Sequence, residues 1–440
     1  MPPPPSAASR DEPVVRDRGD ACPGALRLHA ADDGYLARVR IPAGLLDARQ
    51  AGLLALAADR FGDGHLDLTS RGNVQLRGLG QDCGGGLAGV LDEAGLLPAP
   101  GHERVRNIVA TPLSGSGDPE LRPHVRPWAL ELDRLLCADP RASALSGRFL
   151  FAFDDSRGDV AALGADVTVL GRPHGRALVL LGAAADAVEV PGADAPRAAL
   201  LAAAAFLDAA GAAGTRAWRV RELPPEHALD ARRFAARLTA AGIDATYAGA
   251  VVRPYADPPP PVAVDEGHRG PQCVLVPLGR LTSGQLRALA RAAAGGSGEL
   301  VLTPWRSVVL PDAPPLRPAG GPGPLEREGL VVTPDGPWQS VTACTGRPGC
   351  VKSLADVRAD AADLAPRARG ALPVHWSGCE RRCGHPQGTA WVDVVATGAG
   401  YRLSVHGRPV APSPDLAAAL AAARTRTTPS AASDADTVKK

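Results

Sequence analysis

The sequence predicts an α+β fold built twice over, each half being a small strand–helix–strand unit followed by a larger mixed α/β lobe. Three observations carry that prediction. First, RIPAG at 40–44 leads through a helical stretch to GHLDLTSRGNVQL at 64–76, and LVPLG at 275–279 leads through another to GELVLTPWRSVVL at 298–310. Second, the closing run of each copy alternates apolar and polar residues with the period of a half-buried strand. Third, a tyrosine, an alanine, an aspartate and four prolines at 255–261 separate the copies and read as a stiff linker. Each small unit has few apolar positions of its own, so it needs its twin to close a core.

Taken in order, residues 1–22 form a proline-rich, charged tail with no apolar stretch able to drive export. The first small unit covers 23–85, and the first lobe 86–254, opening on VRNIVATP at 105–112. Within that lobe the most apolar run, 198–207, is about half the length a bilayer requires. The linker extends over 255–268, the second small unit over 269–318, and the second lobe over 319–424. GLVVTP at 329–334 is its loose counterpart of 105–112, and 425–440 is expected to be a second disordered tail. In the second lobe, Val351, Leu354, Val357 and Ala361 mark one face of a helix starting just after Cys350. Strands are expected at 371–376 and 389–396.

The charge balance, +1 from 48 basic and 47 acidic residues, points to neither nucleic acid nor a membrane. A cytoplasmic protein is the expectation. Arginine supplies nearly all the positive charge, since Lys352, Lys439 and Lys440 are the lysines of the chain. In a reducing compartment its eight cysteines are candidates for metal before disulfides.

Four of them are clustered, with C-x5-C spacing at Cys344 and Cys350 and C-x3-C at Cys379 and Cys383. Four thiolates suit zinc or an iron–sulfur cluster. Five intervening residues exceed the tight turn of a structural zinc knuckle, which favours the larger cluster. The helix expected after Cys350 would direct its N–H groups at an anionic centre. Gly346, Gly349, Gly378 and Gly384 would let backbone amides reach sulfur. Cys22, Cys83, Cys137 and Cys273 show no pairing, and Cys273 reads as strand core.

These cysteine spacings and the duplication, with LTSRGNVQ at 68–75, VRNIV at 105–109, ACTG at 343–346 and SGCERRC at 377–383, resemble the nitrite/sulfite reductase superfamily. The resemblance covers nearly the whole chain between the tails. It implies two ferredoxin-like half-domains joined into one domain, two α/β lobes, and a tetrapyrrole held between them. It also implies a [4Fe–4S] cluster on Cys344, Cys350, Cys379 and Cys383, with Cys383 bridging to sirohaem iron where sirohaem is present. Arg71 and Arg106 match the two arginines of the reductases' anion cage. Its lysine triplet corresponds to Arg148, Phe149 and Leu150, and a leucine neither stabilises an oxyanion nor delivers a proton.

That incomplete cage, with SLADVR at 353–358 after Cys350, resembles the precorrin-3B synthase branch, oxygen-dependent monooxygenases of aerobic cobalamin biosynthesis. The resemblance implies precorrin-3A and O2 as substrates, meso-carbon hydroxylation and closure of a γ-lactone. Arg71, Arg106 and Arg148 are then the catalytic candidates. Arg71, Asn73, Gln75, Arg77, Arg106 and Asn107 are candidates for binding the carboxylate-rich tetrapyrrole. The branch further implies a mononuclear non-haem iron, for which His375 and His385 are the nearest candidates. No G-x-G-x-x-G follows a strand, so an external donor, a ferredoxin or an NAD(P)H-dependent reductase, is expected. The alternatives are a sirohaem-dependent sulfite or nitrite reductase and a zinc-stabilised binding protein on the same fold.

Overall fold

The computed structural model describes residues 23–261, 269–317, 321–334, 336–386 and 390–425. Nearly all of both expected tails, Cys22 and the 262–268 part of the linker lie outside them. The chain forms two compact units, one of 34–332 with 23–30, the other of 333–425 with 31–33.

The first half begins with β1 (His29–Ala31), β2 (Gly34–Val39), β3 (Leu45–Asp47), α1 (Ala48–Phe61), β4 (His65–Leu68), β5 (Val74–Leu79) and α2 (Gly84–Glu93). Its lobe holds β6 (Ile108–Ala110), α3 (Arg126–Ala138), β7 (Phe151–Asp154), β8 (Val167–Arg172), β9 (Arg176–Leu181), β10 (Asp186–Pro191), α4 (Ala195–Ala212), α5 (Ala231–Ala240) and β11 (Thr246–Ala250). The second half repeats the pattern with β12 (Gly270–Leu275), β13 (Arg280–Thr282), α6 (Ser283–Ala294), β14 (Glu299–Leu302), β15 (Ser307–Ala313) and the short α7 (Pro324–Arg327). The second lobe has β16 (Val341–Ala343), α8 (Val357–Leu364), β17 (Val374–Ser377), β18 (Val392–Thr397), β19 (Gly400–Val405), β20 (Arg408–Pro409) and α9 (Leu416–Arg424).

The repeat holds down to local geometry. Ala43 and Leu278 both take positive φ, 57° and 54°, ahead of Gly44 and Gly279 at 68° and 71°. Helices α1 and α6 both start in a capping box, Asp47 with Gln50 and Thr282 with Gln285. The small units exchange strands. β13 extends the first sheet by pairing with β4, and β3 extends the second by pairing with β14. Leu46, Leu54 and Leu66 from one half and Leu281, Leu289 and Leu300 from the other are all buried in one cluster. Each such leucine contributes about 1.5–3 kcal/mol, so neither half keeps its core without the other.

The lobes are twins as well. β6, β7 and β8 run parallel and β9 returns antiparallel; β16, β17 and β18 run parallel and β19 returns antiparallel. A helix crosses between the first two strands each time, as parallel pairing requires. The counterpart of β6 is therefore β16, and the expected match of 329–334 to 105–112 is corrected: Val331 bridges back to Leu275 in the half-domain. The apolar run at 198–207 lies inside α4, which is long and apolar enough to cross a membrane by composition. Here Ala198, Ala199, Ala202 and Phe206 are buried in the lobe's core.

Candidate functional site

The cysteines stand at the C-terminal ends of β16 and β17. Cys344 follows β16 and donates its N–H to the Trp376 carbonyl at 2.9 Å. Cys379 and Cys383 lie on the loop after β17, as sites at parallel strand ends often do. Gly378 N–H donates to Cys344 Sγ at 3.2 Å. A Cβ on Gly378 would meet Ser353 Oγ at 1.8 Å, so only glycine passes there. Burial pushes the Cys344 thiol up, and the charges of Cys383 and Cys379 nearby add to it, against the Gly378 and Gly346 amides. Among the described residues no group of three or more His, Cys, Asp or Glu is gathered as for a single metal ion. The Gly378 and Gly346 backbone N–H groups directed at Cys344 suit a sulfur that carries negative charge, as a thiolate ligand does.

One expectation about this region needs correcting. The helix starts at Val357, capped by the Asp356 side chain, six residues later than the spacing after Cys350 predicts. Val351 and Leu354 are accordingly exposed while Val357 and Ala361 are buried. Both candidate histidines make contacts within the protein. His375 Nδ1 lies 2.8 Å from Thr342 Oγ1 and Nε2 3.1 Å from the Cys383 carbonyl, so both ring nitrogens are engaged. His385 Nδ1 meets the Pro386 carbonyl at 2.8 Å, and its ring stacks on Trp391. Trp376 is core, edge-on to Tyr401, and Lys352 is exposed.

The arginine set lies in the first unit and divides by burial. Arg106 is inside, clamped by both oxygens of Asp133 at 2.7 Å and by the Leu96 carbonyl at 3.0 Å. Asn73 and Asn107 are fully buried and bonded to each other at 3.1 Å. Asn73 also accepts from Ile41 N–H. The Gly147 carbonyl is a shared acceptor, taking Asn107 Nδ2 at 2.5 Å, Arg71 Nη1 at 3.1 Å and Arg40 Nη2 at 3.4 Å. These contacts fix the 146–150 loop and engage Arg106, Asn73 and Asn107 with partners inside the protein. Arg77 is buried too. Leu150, in the last place of the triplet, packs with Val109, Ala152 and Val160 instead of facing a ligand.

Arg71 and Gln75 are half-buried, Gln75 accepting from Arg38 at 3.2 Å. Arg148 is exposed, its guanidinium 4.8 Å from the Trp218 ring centre. Sequence reasoning missed Asp133, Thr342 and Ser353. Asp133 is the acid of an amphipathic helix, indistinguishable in one sequence from its solvated neighbours. Thr342, two residues before Cys344, was detectable only once β16 and β17 were known to pair in register.

A duplicated strand-exchanged domain, two twin lobes and a cysteine loop at one lobe's strand ends define a class. The nitrite/sulfite reductase ferredoxin-like half domain matches residues 29–82 and 273–316, the two small units. The chain thus carries the ferredoxin-like half domain of the nitrite/sulfite reductases twice, and its likenesses to whole proteins lie in the same superfamily. It is 28% identical over 410 residues to a precorrin-3B synthase of Sinorhizobium, covering 90% of this chain and 84% of that protein. It is 24% identical over 394 residues to a chloroplastic ferredoxin–nitrite reductase of Betula pendula, covering 80% and 66%. The solved structure of the Mycobacterium tuberculosis NirA protein superposes with a TM-score of 0.61 at 20% identity, over 85% of this chain and 75% of that one, a likeness of fold.

Proposed function

We propose that this protein is an iron–sulfur oxidoreductase of the precorrin-3B synthase type, acting with O2 on precorrin-3A in aerobic cobalamin biosynthesis. The observation that carries the reading is the state of the would-be anion cage. Arg106 is neutralised by Asp133 and Leu150 is core, so two of the four matching positions offer a small oxyanion no cation. The near full-length likeness to the Sinorhizobium protein supports the same choice.

In this reading Cys344, Cys350, Cys379 and Cys383 hold a [4Fe–4S] cluster, whose chemistry when bound is the passing of single electrons. Arg71 and Arg148, with Gln75, keep surface able to meet substrate carboxylates, Arg71 being oriented by the Gly147 carbonyl. Arg106, Asn73 and Asn107 act one step back, by fixing the loop that carries Arg148. Overall, one oxygen atom of O2 enters the macrocycle and the other leaves as water, with two electrons and two protons from an external donor such as a ferredoxin or NAD(P)H-dependent reductase.

The test is anaerobic reduction of the full chain followed by precorrin-3A and 18O2. A product heavier by one labelled oxygen supports the proposal. No incorporation, together with turnover of nitrite or sulfite, would favour a sirohaem-dependent reductase, the reading that the likeness to plant nitrite reductase keeps in play. Arg71→Ala should weaken tetrapyrrole binding by about 1.5–3 kcal/mol, the worth of a charged hydrogen bond. Unchanged affinity in a titration would remove Arg71 from the site.

A further inference from the structure

His375 lies in β17 with no exposed surface. The Cys383 carbonyl can only accept, so the ring's Nε2 carries the hydrogen and donates to it. Nδ1 rests on Thr342 Oγ1 in β16, and that hydroxyl is itself 3.2 Å from the Val374 carbonyl. The rigid β16–β17 pair is thereby tied through one imidazole to the far end of the loop bearing Cys379 and Cys383. Burying an imidazole carries a desolvation cost that an apolar side chain avoids, so its presence calls for a reason.

The first lobe supplies an internal comparison. Thr111 N–H donates to the Phe153 carbonyl at 3.0 Å, as Cys344 N–H does to Trp376. Asp155 N–H reaches Thr111 Oγ1 at 3.4 Å, as Gly378 N–H reaches Cys344 Sγ. In that frame the Thr342–His375 register pair corresponds to Val109–Ala152. Cys383, six residues past the end of β17, corresponds to Val160, six past the end of β7. Val109, Ala152 and Val160 simply pack together as an apolar cluster. The scaffold therefore closes without a histidine, and the polar strut occurs in the lobe that has the cysteines.

We infer that His375, oriented by Thr342, is a positioning residue for the Cys383 loop: its Nε2–H fixes the Cys383 carbonyl and so sets where that sulfur stands relative to Cys344 and Cys379. The inference rests on the cluster reading of the proposed function. The test uses full-length protein, purified anaerobically as wild type, His375→Leu, His375→Gln and Thr342→Val, with iron, sulfide and the EPR spectrum of the reduced protein measured.

His375→Leu should retain about tenfold less iron and sulfide, the lower end of what losing a supporting contact does. His375→Gln, whose amide can still donate to the carbonyl, should recover the content and the wild-type EPR lines. Thr342→Val should keep the ring but shift the lines. Wild-type iron, sulfide and EPR in either His375→Leu or Thr342→Val overturns the inference, and an insoluble leucine variant leaves the decision to Thr342→Val. Amide exchange over 379–386 in metal-free protein gives an arm independent of the cluster. It should be about tenfold faster in His375→Leu, and unchanged exchange also overturns the strut. A wild type without iron or sulfide sinks the cluster reading instead, and the exchange arm then decides on the strut alone.

Discussion

At the scale of single residues, several polar groups that look like site residues in the sequence turn out to hold the fold. Arg106 and Asp133 form a buried bidentate pair, and removing one partner leaves a buried charge without its counter-ion. Arg106→Ala should therefore lower stability by about 3 kcal/mol in urea unfolding; a loss confined to ligand binding would contradict this placement. Asp159 gives a second case. It is buried, accepts from Thr111 Oγ1 at 2.9 Å, and is pushed up to about 6 by burial first and the Asp154 charge second. The folded chain thus keeps a proton there between about pH 4 and 6 that the unfolded chain releases. Stability from this group is full below about pH 3.9 and falls as pH rises through about 6, by on the order of 3 kcal/mol. Asp159→Asn should flatten that part of the stability–pH curve, and an identical slope in the variant would refute the assignment. Neither role was legible in the sequence, because burial depends on partners far along the chain. The grouping of the cysteines at two strand ends is more legible, because spacing and glycine content are local.

At the scale of elements, the repeat was readable because each copy keeps its strand period, its capping residues and its glycines. What the sequence hid is the exchange: β3 and β13 are three residues each, too short for periodicity to reveal, and each belongs to the other half's sheet. The helix after Cys350 was placed too early for a related reason. The spacing of Val351 and Leu354 is helical, yet the Asp356 cap starts the helix later. The exchange makes an asymmetric prediction for equivalent glycines. A Cβ at Gly44 would sit 2.0 Å from the Leu302 carbonyl oxygen of the other half, whereas at Gly279 it would meet the flexible Arg306 side chain. Both alanines bear about 1–2 kcal/mol of left-handed strain. Gly44→Ala should be the more destabilising in thermal melts, and equal losses would argue against the close crossing of the halves.

At the scale of the whole molecule, one module used twice has diverged in the side chains its two lobes carry at matching places. The second lobe carries cysteines, a glycine gate at Gly378 and a buried histidine; the first keeps the same strand order with Thr111, Asp155 and an apolar cluster at the matching places. Duplication explains why the fold class was readable from pattern alone, while the burial of each arginine was not, since a matching position need not keep a matching environment. The measurement that bears most directly on the central claim is an anaerobic UV–visible spectrum of the purified full-length protein. A broad brown thiolate-to-iron absorption without a sharp Soret band is the predicted result. A colourless protein would contradict the cluster, and an intense Soret band with sirohaem-like visible bands would contradict the assignment to a precorrin-3B synthase type of chemistry.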